Sequence, residues 1–139
     1  MNLQPNDTPA RFVLAVIACA ALVLASATQA ETPTQVLSGY VAASGTPAQP
    51  ARGQKLFTSP QGNDWRCASC HGAVPTRPGK HAVTGKVIAP LAPAFNAERF
   101  TDPAKVEKWF RRNCNDVLGR ECSATEKADV LAWLVTLQP

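Results

Sequence analysis

One pentapeptide, Cys67-Ala68-Ser69-Cys70-His71, limits what this chain can fold into more than any other feature. Two thiols three residues apart, with a histidine directly after them, are what covalent attachment of a c-type haem requires. The thiols add to the two haem vinyl groups, and the chain direction after Cys70 leaves the His71 imidazole beneath the ring as the proximal iron ligand. Gly72 then lets the backbone leave the haem edge. Two other chemistries use paired cysteines. A thioredoxin-like redox pair is expected beside a βαβ pattern, and a four-ligand zinc site needs a second, similarly spaced ligand pair. The sequence offers neither, so the rest of the chain is read relative to one iron.

Residues 12–25 form an unbroken apolar run behind Arg11, too short to span a bilayer and ending in small residues that suit signal peptidase. The run predicts an export signal over residues 1–30 and a periplasmic product. Cleavage is expected after Thr28-Gln29-Ala30, with Ala25-Ser26-Ala27 as the second candidate site and a retained anchor as the competing reading. A lipoprotein reading through Cys19 would place Val16-Ile17-Ala18 at the cleavage point and cut the run in half, so Cys19 reads as a small apolar residue. Residues 31–139 then make one small domain with one core. The formal net charge of +4 survives the cut, because Arg11 and Asp7 leave together. A moderately basic exported protein can dock on acidic redox partners or merely carry a solvated surface, and no nucleic-acid motif is present.

The mature part keeps four of the five cysteines. With Cys67 and Cys70 on the haem, Cys114 and Cys122 are left as a pair in an oxidising compartment and are expected to form a disulfide; two free, buried thiols are the alternative. Closing so short a loop would stabilise the fold by roughly 2 to 3 kcal/mol on the chain-entropy account.

Between these points Pro and Gly punctuate helical patterns, and no sustained period-two alternation occurs, so the fold is expected to be all-α with no sheet. A short helix is predicted over 34–43, ended by Gly45 and Pro47, and a second over about 48–58, ended by Pro60 and Gly62. Residues 73–93, rich in Pro and Gly, read as a loop around the haem. Thr101-Asp102-Pro103 opens a third helix, and Ser123-Ala124-Thr125-Glu126 is a capping box for a last helix to about Leu137, with Val130, Leu131, Leu134 and Leu137 on one buried stripe.

The order of these parts resembles a class I cytochrome c: a Gly-x-x-x-Phe helix (Gly53 to Phe57) before the haem motif, a loop after it, a third helix, and a C-terminal helix with Trp133. The resemblance implies short helices wrapped around one covalent haem c, with the glycine letting the first and last helices cross closely. In such carriers a methionine usually supplies the sixth iron ligand. The one methionine here is Met1, which leaves with the signal. His81, only ten residues beyond His71 in a Pro-rich loop, reads as a surface histidine. On the third helix Val106, Trp109 and Phe110 make an apolar stripe whose next position is Asn113. Two jobs stay open for that amide: facing the haem, or capping the helix C-terminus. Lys105, Lys108 and Arg112 fall on the other face. Leu91, Phe95, Phe100, Trp109 and Phe110, with Trp65, are the candidate walls of the pocket.

A narrower likeness rests on Asn113-Cys114 followed by Cys122, with Phe100-Thr101-Asp102 before and Glu126-Lys127-Ala128-Asp129 after. Over about residues 33–137 the chain is similar to the high-spin, asparagine-ligated cytochromes c of the sphaeroides haem protein (SHP) family. That likeness implies His71 as proximal ligand, Cys67 and Cys70 as thioether cysteines, Asn113 as a labile distal ligand, and a Cys114–Cys122 bridge. It also implies a ferrous form that releases the asparagine and binds oxygen, nitric oxide or carbon monoxide, and electron exchange with a dihaem cytochrome c. Independently of the family, a neutral amide is a weak ligand better suited to ferric than to ferrous iron, so reduction should open a coordination site. Two functions follow: redox-linked binding of a diatomic gas, with a minor oxygen or nitric oxide reductase activity as an extension, or plain electron transfer with an unusual ligand.

Overall fold

The computed structural model describes Met1, residues 30–61 and residues 64–139, so the expected leader over residues 1–30 lies almost wholly outside the described part. Helix α1, Pro33–Ser44, starts at a capping box in which Thr32 and Gln35 satisfy each other's backbone N–H groups, and it ends at Gly45 with φ 64°. Helix α2, Pro50–Thr58, begins two residues later than the sequence suggests, because Pro50 takes the first helical position and Gln49 stays extended as its cap. The haem motif forms a single turn, α3, Ala68–His71. After a 3₁₀ turn at Pro93–Phe95, α4 runs over Pro103–Leu118 and α5 over Ala124–Thr136. Asp102 caps α4 by accepting from the Lys105 N–H at 3.0 Å. Among the described residues no helix is long and apolar enough to cross a membrane.

The expectation of no sheet needs one correction. Gly79–Lys80 (β1) pairs antiparallel with Val87–Ile88 (β2), Gly79 opposite Ile88 and Lys80 opposite Val87. Two-residue strands are too short for alternation to register in sequence, and the turn between them is held by local bonds: the Gly85 N–H donates to the His81 carbonyl at 2.8 Å, with Gly85 at φ 68°. The fold remains helical in class, with this ribbon as an appendage to α3.

The core forms where α5 crosses α2. Gly53 lies so close to the Asp129 carbonyl that a Cβ built on it would overlap that carbonyl, so only glycine lets the two backbones touch. On either side of that contact Phe57, Val130, Trp133 and Leu134 pack into one cluster, while Val36, Val106 and Leu131 join α1, α4 and α5 in a second. Phe100, held at the left-handed φ of 59°, packs against both; such a backbone costs a non-glycine residue about 1 kcal/mol or more, offset here by burying the ring. Helix α5 is buried without a break from Lys127 to Leu134, where the sequence suggested a single stripe. Its two charged members are each answered. The Asp129 carboxylate takes Arg52 through two guanidinium nitrogens and the Gln49 N–H at 2.7 Å, and Lys127 donates to Glu107 at 2.6 Å. Tyr40 donates to the same Glu107 at 3.0 Å.

Gly53→Ala should therefore be among the most damaging single-methyl additions, lowering stability by about 3 kcal/mol or more. Thermal unfolding of the holoprotein would show it, and an unchanged midpoint would contradict the crossing. A second expectation concerns acid. Hydrogen bonding from Arg120 at 2.7 and 2.8 Å holds the Glu126 carboxyl at about 2, below its ordinary 4.5. The folded value is the lower one, so the stability it contributes is complete above about 4.5 and lost as pH falls toward 2. Glu126→Gln should lower the melting temperature at pH 7 and flatten its fall across that acid window.

Candidate haem site

The turn α3 exists because Cys67, Ala68 and Ser69 are short residues whose backbone closes on itself: the His71 N–H donates to the Cys67 carbonyl at 3.1 Å and the Gly72 N–H to the Ala68 carbonyl at 2.9 Å. Gly72 at φ 78° then turns the chain out. One turn thereby carries both thiols, which are unbonded to each other, and the imidazole. Burial pushes the Cys67 thiol up to about 11, so it stays protonated at neutral pH. Burial likewise pushes His71 down to about 4, and the nearby Arg99 acts in the same direction. A neutral imidazole, with a lone pair to give a metal, is the result.

His71 leans on the core through Phe57, whose ring centroid is 6.1 Å away; Phe57 in turn lies 5.0 Å from Trp133. The α2–α5 crossing thus fixes the ring that backs His71. Cys67 and Ala68 rest on the same apolar cluster, as do Leu91, Phe100 and Phe110. Of the other expected wall residues, Trp65, Phe95 and Trp109 expose 37%, 36% and 44% of their surface. Two thiols and one neutral imidazole on a single turn, resting on an apolar cluster that includes Leu91, Phe100 and Phe110, are the donors and surfaces that a covalent haem needs, so the residues fit the group.

Helix α4 does not end where Asn113 could cap it. It continues to Leu118 and closes on Gly119 at φ 70°, whose N–H donates to the Asn115 carbonyl at 3.1 Å. The capping role considered for Asn113 is therefore overturned. Val106, Phe110 and Cys114 form the inward row of α4, and Trp109 and Asn113, one turn apart, form the exposed row beside it. The Asn115 amide is engaged, donating to the Arg111 carbonyl at 2.8 Å, whereas the Asn113 side chain has no hydrogen-bond partner among the described residues. Cys114 and Cys122 are bonded, with Cα atoms 5.6 Å apart, and tie α4 to the start of α5 one residue beyond Asn113. His81 sits on the ribbon, its Nδ1 accepting from the Val83 and Thr84 N–H groups at 3.3 and 3.2 Å.

Sequence reasoning missed Arg99. Its guanidinium donates to the Pro90 carbonyl at 2.9 Å and the Ala89 carbonyl at 2.8 Å, gripping the strap that follows the ribbon. The available signal was the run of prolines, which lacks backbone donors and leaves carbonyls for a side chain to satisfy. Cys122→Ser should leave the haem attached but cost roughly 2 to 3 kcal/mol and alter ligand binding, because the α4 end next to Asn113 loses its tie. Denaturant unfolding and ligand titration of the variant would check both effects.

The family described as "Domain of unknown function (DUF1924)" matches residues 43–134. The cytochrome c-type protein SHP of Cereibacter sphaeroides is 53% identical over 107 residues, 74% of this chain and 82% of that protein. The structure of oxidised SHP, described as an oxygen-binding cytochrome c, superposes with a TM-score of 0.72 at 50% identity, covering 78% of this chain and 99% of the other. Cytochrome c'' of Methylophilus methylotrophus is 51% identical over 82 residues, 59% of this chain and 57% of that protein. Its solution structure, described in terms of haem-ligand detachment, gives a TM-score of 0.66 at 38% identity over 77% of this chain and 94% of that one.

Proposed function

Because the chain belongs to the DUF1924 family and to the monohaem c-type cytochromes related to SHP and cytochrome c'', we propose that it is an exported cytochrome whose Asn113 is a displaceable iron ligand. Cys67 and Cys70 would hold the one covalent haem c, and His71 would be the histidine that ligates its iron. The haem supplies an iron that changes oxidation state and accepts a sixth ligand. Asn113 would be the residue that holds that position in the oxidised protein and yields it on reduction, leaving it open to oxygen or nitric oxide. Electrons are exchanged with another c-type cytochrome, a dihaem protein by the family resemblance, and the setting is the periplasm.

The observation that carries this reading is the state of two neighbouring amides. Asn115 spends its amide on the helix backbone, while Asn113 keeps its own unengaged beside Trp109, on a helix that runs on for another turn. An amide is a neutral, hard, weak donor, favoured by ferric over ferrous iron, so its release follows the electron. The names of the two relatives agree in kind: one is an oxygen-binding cytochrome, and the other's structure concerns detachment of a haem ligand.

Asn113→Ala tests the proposal directly. The ferric spectrum should change, and added imidazole or cyanide should bind roughly tenfold or more tightly, because no internal ligand competes. The ferrous spectrum should change little. Asn115→Ala and His81→Ala should leave ferric iron as it was. If His81→Ala shifts the ferric spectrum and Asn113→Ala does not, the protein is instead a bis-histidine electron carrier.

A further inference from the structure

From Trp65 to Ala97 the chain contains Arg66, Arg77, Lys80 and Lys86 and no Asp or Glu at all. Three basic side chains of the described residues are paired with acids, in Arg52–Asp129, Arg120–Glu126 and Lys127–Glu107; the four of this acid-free stretch are in no such pair. Lys80 and Lys86 lie on the ribbon. On the same ribbon Val83 and Val87 each expose 77% of their surface. An apolar centre ringed by like charge is a composition that marks a protein contact.

The ribbon is also mounted on the haem-bearing turn. The Ala82 N–H donates to Cys70 Sγ at 3.3 Å, and Gly79 packs so tightly on the Cys70 carbonyl that a Cβ there would overlap it. Its far foot is held as firmly, by Leu91 and Ala92 N–H groups on the Pro75 carbonyl at 3.0 and 3.1 Å and by Arg99 on Ala89 and Pro90. A basic, partly apolar and rigidly mounted surface therefore covers the second haem tether.

We propose that the Gly79–Ile88 ribbon is where an acidic redox protein docks to exchange one electron with the haem, a proposal that rests on the electron-exchange reading above. The partner presents carboxylates to Lys80 and Lys86 around a small apolar centre that meets Val83 and Val87. No bond is made or broken: the partner's reduced centre loses one electron and the ferric iron gains it. Opposite charge steers the encounter, so the rate falls with ionic strength. A soluble partner is favoured over an anionic membrane because the apolar residues are short valines, without the aromatic or long aliphatic side chains that insert into lipid.

The test uses the ferric holoprotein and, as probe, a reduced acidic two-iron ferredoxin, followed by stopped-flow at several salt concentrations. Lys80→Glu with Lys86→Glu should slow reduction at least tenfold at low salt and abolish the salt dependence. Lys105→Glu with Lys108→Glu on α4, an identical change in net charge, should slow it less than twofold. Both doubles should keep the parent ferric spectrum and the parent rate with a neutral quinol. Equal slowing by both doubles, or a ribbon double as fast as the parent, overturns the docking site. Loss of binding to phosphatidylglycerol vesicles in the ribbon double, with its ferredoxin rate intact, overturns it in favour of a membrane surface. A parent protein that the quinol reduces but that no protein donor does would instead overturn the electron-exchange reading beneath it.

Discussion

Backbone touches backbone where Gly53 of α2 meets the Asp129 carbonyl of α5, and the haem-bearing half of the molecule is positioned from that point. One turn along α2, Phe57 is driven against Trp133 on one side and His71 on the other. A bulkier residue at the crossing would push α2 outward and carry Phe57, and with it the support of His71, away from α5. The contact is locked by charge as well as by shape. Burying Asp129 would be costly if its carboxylate stood alone, but Arg52 and the Gln49 N–H take its oxygens, so the charge is fully answered at the helix junction. Because Arg52 is nearly half exposed and Asp129 almost wholly buried, the pair orients α2 more than it stabilises the fold.

What the sequence disclosed was whatever depends on local chemistry. Gly45, Asp102 with Pro103, and Ser123 with Glu126 end or begin helices because the cap is made by residues within a turn of the helix terminus. Cys67, Cys70 and His71 were legible for the same reason: the spacing itself is the chemistry. What stayed hidden depends on tertiary partners. Lys127 and Asp129 look like a solvated face until Glu107 and Arg52 arrive from other helices, which is why α5 read as one stripe and proved buried on nearly all sides. The ribbon was hidden because two-residue strands have no period, and Arg99 because a carbonyl strap gives no side-chain pattern to find. Asn113 stood between these cases. Its residue type announced a candidate, but a C-cap and a free amide differ only in whether the helix continues, and that is decided five residues further on at Leu118 and Gly119.

The continuation of α4 matters to the chemistry proposed for Asn113. A ligand on a loop could follow the iron wherever it moved, and its release would need the whole segment to relax. On a helix whose next residue is bonded to Cys122, the backbone is tied, and on the proposed reading side-chain rotation would separate a bound amide from a released one. A weak donor held at a defined point behaves as a reversible plug, and a strong donor at the same point would behave as a permanent ligand.

Electron entry and ligand exchange make opposite demands on the surface around one haem. The first wants a rigid, charged, accessible patch close to the cofactor, so that encounter is fast and the electron's path short; the second wants a pocket that small neutral molecules reach and a protein partner does not obstruct. On the proposed reading the two fall on different elements. The basic ribbon is hydrogen-bonded to Cys70 Sγ, while Trp109 and Asn113 share a row of α4, a separate stretch of the chain. With the partner's binding energy confined to Lys80, Lys86 and the exposed valines, a docked protein need not displace anything on α4. On the proposed reading, an electron delivered at the ribbon is felt at Asn113 through the iron's own preference for a harder or softer ligand, with no conformational relay between the two elements.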